Sequence, residues 1–106
     1  MVKIVALLNL KPGVDPDEFE KLYREVHIPI VKSLPGLKKY YVSKVRPSKH
    51  HQVPYYRIAE LYFEDMDALR HALGSPENEV QLNDKIFFDL LEPLTEFICY
   101  EEEVPL

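Results

Sequence analysis

The sequence predicts an α+β domain in which four strands and two helical segments follow the order β-α-β-β-α-β. A chain of 106 residues, 46% of them hydrophobic, has the size of one domain with its own core. Apolar runs rich in β-branched and aromatic residues alternate with segments of helical periodicity. Proline or glycine marks most of the boundaries between these segments. We therefore expect a single domain over residues 1–106.

The first third of the chain is predicted to form a strand, a helix and a second strand. Val2 to Leu10 is an apolar run that ends at a Lys-Pro-Gly turn, which is typical of a strand. Asp15 is a helix cap followed by a proline, and the Pro35-Gly36 pair ends that helix. Leu37 to Val45 has the composition of the next strand. The apolar positions of the helix share one face: Phe19, Leu22, Tyr23, Val26, Ile30 and Leu34.

The middle of the chain supplies the third strand after a polar loop. Arg46 to Pro54 is polar and begins and ends near prolines, as an exposed loop does. Tyr55 to Phe63 is predicted to be the third strand. Asp65 then caps a short helix that extends through Leu73.

The last third is predicted to form a helix and the final strand. Ser75 is the cap, Pro76 is the first helical residue, and the helix runs to about Leu91. Thr95 to Tyr100 is the last strand, and an acidic tail follows it. This order is the ferredoxin-like pattern, which places both helical segments on one face of a four-stranded antiparallel sheet.

The face of the sheet without helices needs a cover. The strand from Tyr55 to Phe63 is largely apolar or aromatic on both of its faces, unlike a strand with one face in water. A second copy of the chain is the simplest cover. We therefore expect a homodimer that forms through the sheet.

Charge and composition exclude several partners. The net charge is −5, whereas nucleic-acid binding needs clustered lysine and arginine, so no nucleic-acid partner is expected. The N-terminal apolar run is too short to span a membrane and has no cleavage site, so no membrane association is expected. Cys99 is the single cysteine, which favours a reducing compartment, the cytoplasm. No metal-ligand spacing or glycine-rich phosphate loop occurs, so neither a metal nor a cofactor is expected.

His27 is the leading candidate for chemistry. It lies on the apolar face of the first helix, four residues after Tyr23. Pro29 cannot donate to the carbonyl of Glu25, so we expect the helix to loosen beside the imidazole. An imidazole with perturbed solvation there can act as a general acid or base. The alternative is a core histidine satisfied by a backbone carbonyl or a tyrosine hydroxyl.

Asp84 and Glu60 are the acidic candidates. Asp84 is predicted to share a helix face with Val80, Phe87 and Leu91, where a carboxylate either lines a cavity or lies at the surface beside the apolar stripe. Glu60 lies mid-strand, where it is expected to pair with Arg57 or with a lysine on a neighbouring strand. The other histidines carry weaker signals: His50 and His51 are expected to be solvated, and His71 to pair with Asp67.

Five short motifs follow one another along nearly the whole chain. They are Tyr23-x-x-x-His27-x-Pro29, Pro35-Gly36-Leu37 with Tyr40-Tyr41, Ala59 to Asp65, Ala72-Leu73-x-Ser75-Pro76-Glu77 and Asp84-x-x-Phe87. This ordered set resembles the EthD family. The resemblance implies a dimeric α+β barrel with a pocket between sheet and helices. It favours His27 as a pocket residue, since His27-x-Pro29 matches the family's most recognisable short motif, and Asp84 matches an acidic position of the last helix.

Two functions stay open at this point. The resemblance implies cofactor-independent acid–base or oxidative chemistry on a small hydrophobic or aromatic compound, because related barrels include oxygenases, decarboxylases, dehydratases and isomerases. His27 would then move a proton, and Tyr23, Glu60 or Asp84 would orient it. The alternative is a non-catalytic dimeric protein whose pocket binds a hydrophobic ligand or is filled by side chains. An open cavity with converging polar groups beside His27 would favour the enzyme.

Overall fold

The order of strands and helices agrees with the sequence pattern in the computed structural model, which describes residues 1–50 and 53–106. The expected exposure of His51 lies outside the described residues. One turn of π-helix, Tyr23–His27, separates the first two α-helices. The strands are β1 (Val2–Leu8), β2 (Lys39–Lys44), β3 (Arg57–Phe63) and β4 (Thr95–Tyr100). The α-helices are α1 (Pro16–Leu22), α2 (Ile28–Lys32), α3 (Met66–Leu73), α4 (Pro76–Leu82) and α5 (Lys85–Phe88).

The four strands form one antiparallel sheet in the order β2-β3-β1-β4. In the register of this sheet, Ile4 on β1 lies between Leu61 on β3 and Ile98 on β4. Side chains alternate between faces, so Ile4 and Leu61 face the helices. The predicted ferredoxin-like sheet is therefore confirmed.

The predicted helix starts are confirmed by their caps. The side chain of Asp15 accepts a hydrogen bond from the backbone N–H of Asp17, and the side chain of Asp65 accepts one from Ala68. Ser75 does the same for Asn78 at the start of α4. Each cap satisfies a backbone donor that the first helical turn leaves without a partner.

Both long helices predicted from the sequence are interrupted. The first contains the π-helical turn, in which Ile28 donates to the carbonyl of Tyr23, and α2 ends at Lys32. The second, predicted to run to about Leu91, breaks at Asn83 and Asp84. Side chains of this type compete with helical hydrogen bonds, and the backbone of Asp84 is not helical, with φ −74° and ψ 70°.

Several strands are shorter than predicted. β1 ends at Leu8, two residues before the predicted end at Leu10. Leu10 forms an isolated bridge with Leu91. β2 and β3 also lose residues at their ends, and β3 begins at Arg57. The last strand has the predicted bounds. These differences leave the order of the sheet unchanged.

The face of the sheet opposite the helices, the open face, combines apolar and charged side chains. Phe97 is 45% exposed and Tyr41 52% exposed on it. Lys3 binds the carboxylate of Glu60 at 2.9 Å and also contacts Glu101 at 3.3 Å. By the register, its residues are Lys3, Val5, Leu7, Lys39, Tyr41, Ser43, Ile58, Glu60, Tyr62, Thr95, Phe97 and Cys99.

Candidate functional site

A cavity of about 170 Å³ lies between the sheet and the helices. The sheet contributes small and aliphatic side chains to its wall, among them Ala6, Ala59 and Leu61. The helical side contributes Tyr23, His27 and a group of aromatic and aliphatic residues. An apolar cavity of roughly this volume is large enough for a single aromatic ring. In the described chain, the wall of this cavity includes His27, and most of its other lining side chains are apolar.

The π-helical turn places His27 on the cavity wall. Pro29 has no N–H to donate to the carbonyl of Glu25, so the chain accommodates an extra residue in the turn that precedes it. His27 is the last residue of this turn and is only 5% exposed. The loosening of the helix predicted from Pro29 is confirmed, and it occurs in the turn that carries the imidazole.

Asp84 is the hydrogen-bond partner of His27. Its carboxylate oxygen Oδ2 lies 2.9 Å from Nδ1 of the imidazole, and its side chain is 10% exposed. The prediction that Asp84 shares a helix face with Val80 is wrong, because the residue lies in the break between α4 and α5 and Val80 is 57% exposed. That break lets the carboxylate turn toward the imidazole.

Two phenylalanines of α5 fix the plane of the imidazole. The ring of Phe87 stacks on His27 with centroids 3.7 Å apart and planes within 10°. The ring of Phe88 meets His27 edge-on at 5.4 Å. The stack and the bond to Asp84 together restrict both the tilt and the rotation of the imidazole.

One nitrogen of His27 remains available. Within residues 1–50 and 53–106 its only hydrogen bond uses Nδ1, and Nε2 is not among the fully buried polar atoms. Burial lowers the pKa of His27, although the hydrogen bond and charge of Asp84 oppose this effect. The imidazole is therefore neutral at pH 7. With Nδ1–H donating to Asp84, Nε2 carries the lone pair that can accept a proton.

Tyr23 and Tyr40 bring two hydroxyls to the same cavity. Tyr23 is 1% exposed, and its hydroxyl has no described hydrogen-bond partner. The phenol of Tyr40, on β2, lies close enough to influence the pKa of Tyr23. Burial raises the pKa of both phenols, so both stay protonated at neutral pH. Tyr40 was not among the predicted site residues, although strand alternation places it on the helix-facing side.

The mouth of the cavity also carries a carboxylate that the sequence did not single out. Glu96 on β4 lines the cavity, and partial burial raises its pKa. The exposed leucines Leu73, Leu82 and Leu94 line the cavity as well. On β4, Glu96 and Ile98 lie on one face and Phe97 lies on the other. The pairing of Glu96 with Ala6, which lines the cavity, shows that Glu96 faces the helices.

Of the four predicted site residues, the structure brings together three. Tyr23, His27 and Asp84 lie on the helix side of the sheet, and the rings of Tyr23 and His27 are 6.1 Å apart. Glu60 lies on the open face, where it binds Lys3, so the lysine alternative for its partner is confirmed. The Arg57 alternative is wrong, because Arg57 faces the helices and binds Glu20 of α1.

In the described part of the chain, no group of three or more His, Cys, Asp or Glu side chains is arranged to hold a metal ion. No described helix has the length and apolar character that crossing a bilayer requires. His71 is exposed, and its expected partner Asp67 instead contacts Arg70 at 3.5 Å.

Sequence comparison finds a family and a curated relative. The model of the EthD domain matches residues 11–89. An uncharacterised 11.0 kDa protein from the thcB-thcC intergenic region of Rhodococcus erythropolis is 31% identical over 65 residues. That match covers 61% of this chain and 63% of the relative, less than two thirds of its length.

Solved structures share the fold over nearly the whole chain. An EthD family protein of Bacillus halodurans is 29% identical, with a TM-score of 0.80 over 96% of this chain and 99% of its own. SnoaB, a cofactor-independent oxygenase of Streptomyces nogalater, has 17% identity and a TM-score of 0.71 over 97% and 94%. A dimeric ferredoxin-like protein of unknown function from Thermobifida fusca has 17% identity and a TM-score of 0.69 over 92% and 88%. The last two likenesses concern the fold alone. The EthD domain model, which matches residues 11–89, establishes that this chain belongs to the EthD family.

Proposed function

We propose that the protein is a homodimer whose cavity binds a small hydrophobic or aromatic compound, and that His27 moves a proton of that compound without a cofactor. The observation that carries the proposal is the hydrogen bond between Nδ1 of His27 and Asp84 at the wall of an apolar cavity. A carboxylate on one imidazole nitrogen fixes the tautomer and leaves the other nitrogen basic. SnoaB, a cofactor-independent oxygenase, adds support by analogy of fold.

The chemistry is a proton transfer from the bound compound to Nε2. The bond between the proton and the compound breaks, its electron pair stays on the compound, and a new N–H bond forms on the imidazole. The buried carboxylate of Asp84 stabilises the resulting imidazolium. Asp84 is thus the orienting residue of this proposal and Tyr23 a wall residue, whereas Glu60 is a structural ion-pair partner on the open face.

A non-catalytic binding protein is the second candidate. His27 is stacked on Phe87 at 3.7 Å and is almost entirely buried, as a packing residue would be. The two candidates differ in whether Nε2 reaches a proton of a molecule in the cavity. A probe that reports proton abstraction directly separates them.

Wild-type protein is expected to accelerate the ring opening of 5-nitrobenzisoxazole, an apolar probe that one base converts to a coloured phenolate. His27→Gln, which keeps an N–H donor for Asp84 but no basic nitrogen, should lower this rate about 100-fold or more, the usual range for a general base. The wild-type rate should rise with pH and level off below the pH expected of an ordinary histidine, because burial lowers the pKa of His27. Absorbance spectroscopy measures both effects.

His71→Ala is the matched control, since His71 is exposed on α3. Its rate should equal that of the wild type. Equal rates in wild type and His27→Gln would contradict the proposed base. If the probe still bound the cavity in that case, the non-catalytic candidate would replace it.

The open face supports the proposal of a homodimer. Both Phe97 and Tyr41 expose about half of their surface there in the single chain. The Thermobifida protein with this fold is described as dimeric. A stable interface needs about 1,200 Å² or more of total buried area, and the open face extends across all four strands.

Phe97→Glu is expected to convert the dimer to a monomer, because it replaces an exposed apolar side chain of the open face by a charge that the interface would bury. Sedimentation velocity at micromolar concentration measures the change. Val80→Glu is the control, as Val80 is 57% exposed on α4 on the helix side. A monomeric wild type at that concentration would rule out the dimer.

The lone cysteine, Cys99, supports the further proposal that this dimer works in the reducing cytoplasm.

A further inference from the structure

The hydroxyl of Tyr23 has no part in the proton transfer proposed above, and its environment is unusual. It is fully buried and has no hydrogen-bond partner among the described side chains and backbone groups. A buried polar group without a partner costs stability, and most such groups in folded proteins have one. Tyr23 also lines the cavity, so a molecule bound there can supply the missing partner.

The surroundings of this hydroxyl indicate what kind of partner it needs. The phenol of Tyr40 lies close to that of Tyr23 and lines the same cavity. The guanidinium of Arg57 lies 5.5 Å from the centroid of the Tyr23 ring, but its ion pair with Glu20 compensates its charge. Because both phenols stay protonated, each carries an O–H group that can donate a hydrogen bond to a molecule in the cavity.

We propose that Tyr23 and Tyr40 form an oxygen-binding site in the cavity, and that the ligand is a one-ring compound with a hydroxyl or carbonyl oxygen. Bound in this way, the oxygen accepts hydrogen bonds from one or both phenols, most strongly when it is a phenolate or an enolate. The inference rests on the proposed function only in using the same cavity. His27 is a neighbour of this site, since the ring centroids of Tyr23 and His27 are 6.1 Å apart.

The site would also explain why the proton transfer is favourable. When His27 removes a proton from a hydroxyl, the bonding electron pair stays on the oxygen. When it removes a proton from a carbon beside a carbonyl, that pair forms a C=C bond and the C=O π pair moves onto the oxygen. Donors already in place at that oxygen stabilise the charge as it develops. The ligand class is therefore small phenols and enolisable aryl ketones.

The test compares the affinities of 4-nitrophenol and nitrobenzene, which differ by one hydroxyl, for the wild type and for Tyr23→Phe. The wild type should bind 4-nitrophenol more tightly than nitrobenzene. Tyr23→Phe should weaken 4-nitrophenol binding at least tenfold and change nitrobenzene binding less than twofold. Tyr40→Phe should act in the same direction. Tyr100→Phe, which removes a hydroxyl from a side chain 74% exposed outside the cavity wall, should change neither.

The unfolding midpoint of Tyr23→Phe provides a second readout. If the hydroxyl has no partner in the free protein, its removal leaves the midpoint unchanged or raises it; a marked fall would show a structural hydrogen bond and overturn the proposal. A wild type with no preference for 4-nitrophenol, or equal losses for both ligands in Tyr23→Phe, would also overturn it. His27→Gln separates the two proposals: its rate on 5-nitrobenzisoxazole tests the base alone, and its 4-nitrophenol preference should persist.

Discussion

Glu20→Ala is expected to lower the free energy of unfolding by about 3–5 kcal/mol, because it leaves a buried cation without its counter-charge. Arg57 is 3% exposed, and its guanidinium binds both carboxylate oxygens of Glu20, with Nε at 3.2 Å from Oε2. This ion pair ties α1 to the start of β3. Chemical denaturation at fixed protein concentration measures the loss, since the stability of a dimer depends on concentration.

The same ion pair predicts how the effect depends on pH. Burial alone would raise the pKa of Glu20, but the hydrogen bond and charge of Arg57 outweigh it, and the net shift is downward. A lowered carboxyl pKa contributes stability above the pKa of the unfolded chain and loses it as pH falls through the folded value. The difference between wild type and Glu20→Ala should therefore be full at pH 7 and shrink only under acidic conditions.

Two further variants separate the buried pair from the surface charges around it. Arg24→Ala removes an exposed partner 3.9 Å from the same carboxylate and should cost less than about 1 kcal/mol. Adding Arg57→Leu to Glu20→Ala removes the uncompensated cation and should recover part of the loss. A cost below about 1 kcal/mol for Glu20→Ala itself would show that Arg57 finds another partner.

The fold was predictable because local signals and the global pattern agree. The sequence predicts helix caps at Asp15, Asp65 and Ser75, and a helix begins directly after each of them. The break at Asp84 was not predictable, because Phe87 and Leu91 continue the apolar spacing that a helix would show. Aspartate has only a modest preference against helices, so the spacing alone favoured a continuous one.

The site was predictable in part, because helical spacing and the position of a proline are signals that a local stretch of sequence carries. The helical spacing of Tyr23 and His27, and the position of Pro29, indicated a histidine on the apolar face beside an irregular turn. Its partner could not be derived from spacing, since the two residues are 57 positions apart in the chain. The sequence also suggested a choice between a pocket histidine and a satisfied core histidine. In the structure His27 combines features of both alternatives, because it lines a cavity and its Nδ1 is hydrogen-bonded to a partly buried carboxylate.

Phe87 connects the core to this site. It is 1% exposed, and its ring packs against Phe19 and Tyr23 at 5.4 and 5.5 Å as well as against His27. Removal of a buried aromatic ring of this kind leaves a cavity that neighbouring side chains fill only in part. In this protein the new cavity would open onto the wall that carries the imidazole.

Phe87→Ala is expected to lower the free energy of unfolding by about 3–5 kcal/mol and to raise the pKa of His27 toward the ordinary histidine value. The second effect follows because burial is the main cause of the lowered pKa, and water that enters the enlarged cavity restores solvation of the imidazolium. Denaturation measures the stability, and an NMR titration of the His27 ring protons measures the pKa. Ile86→Ala, at a side chain 70% exposed on the same helix, should change neither. A large loss of stability with an unchanged His27 pKa would mean that the imidazole stays dry without its stacking partner, so that Asp84 and Phe88 suffice to seal it.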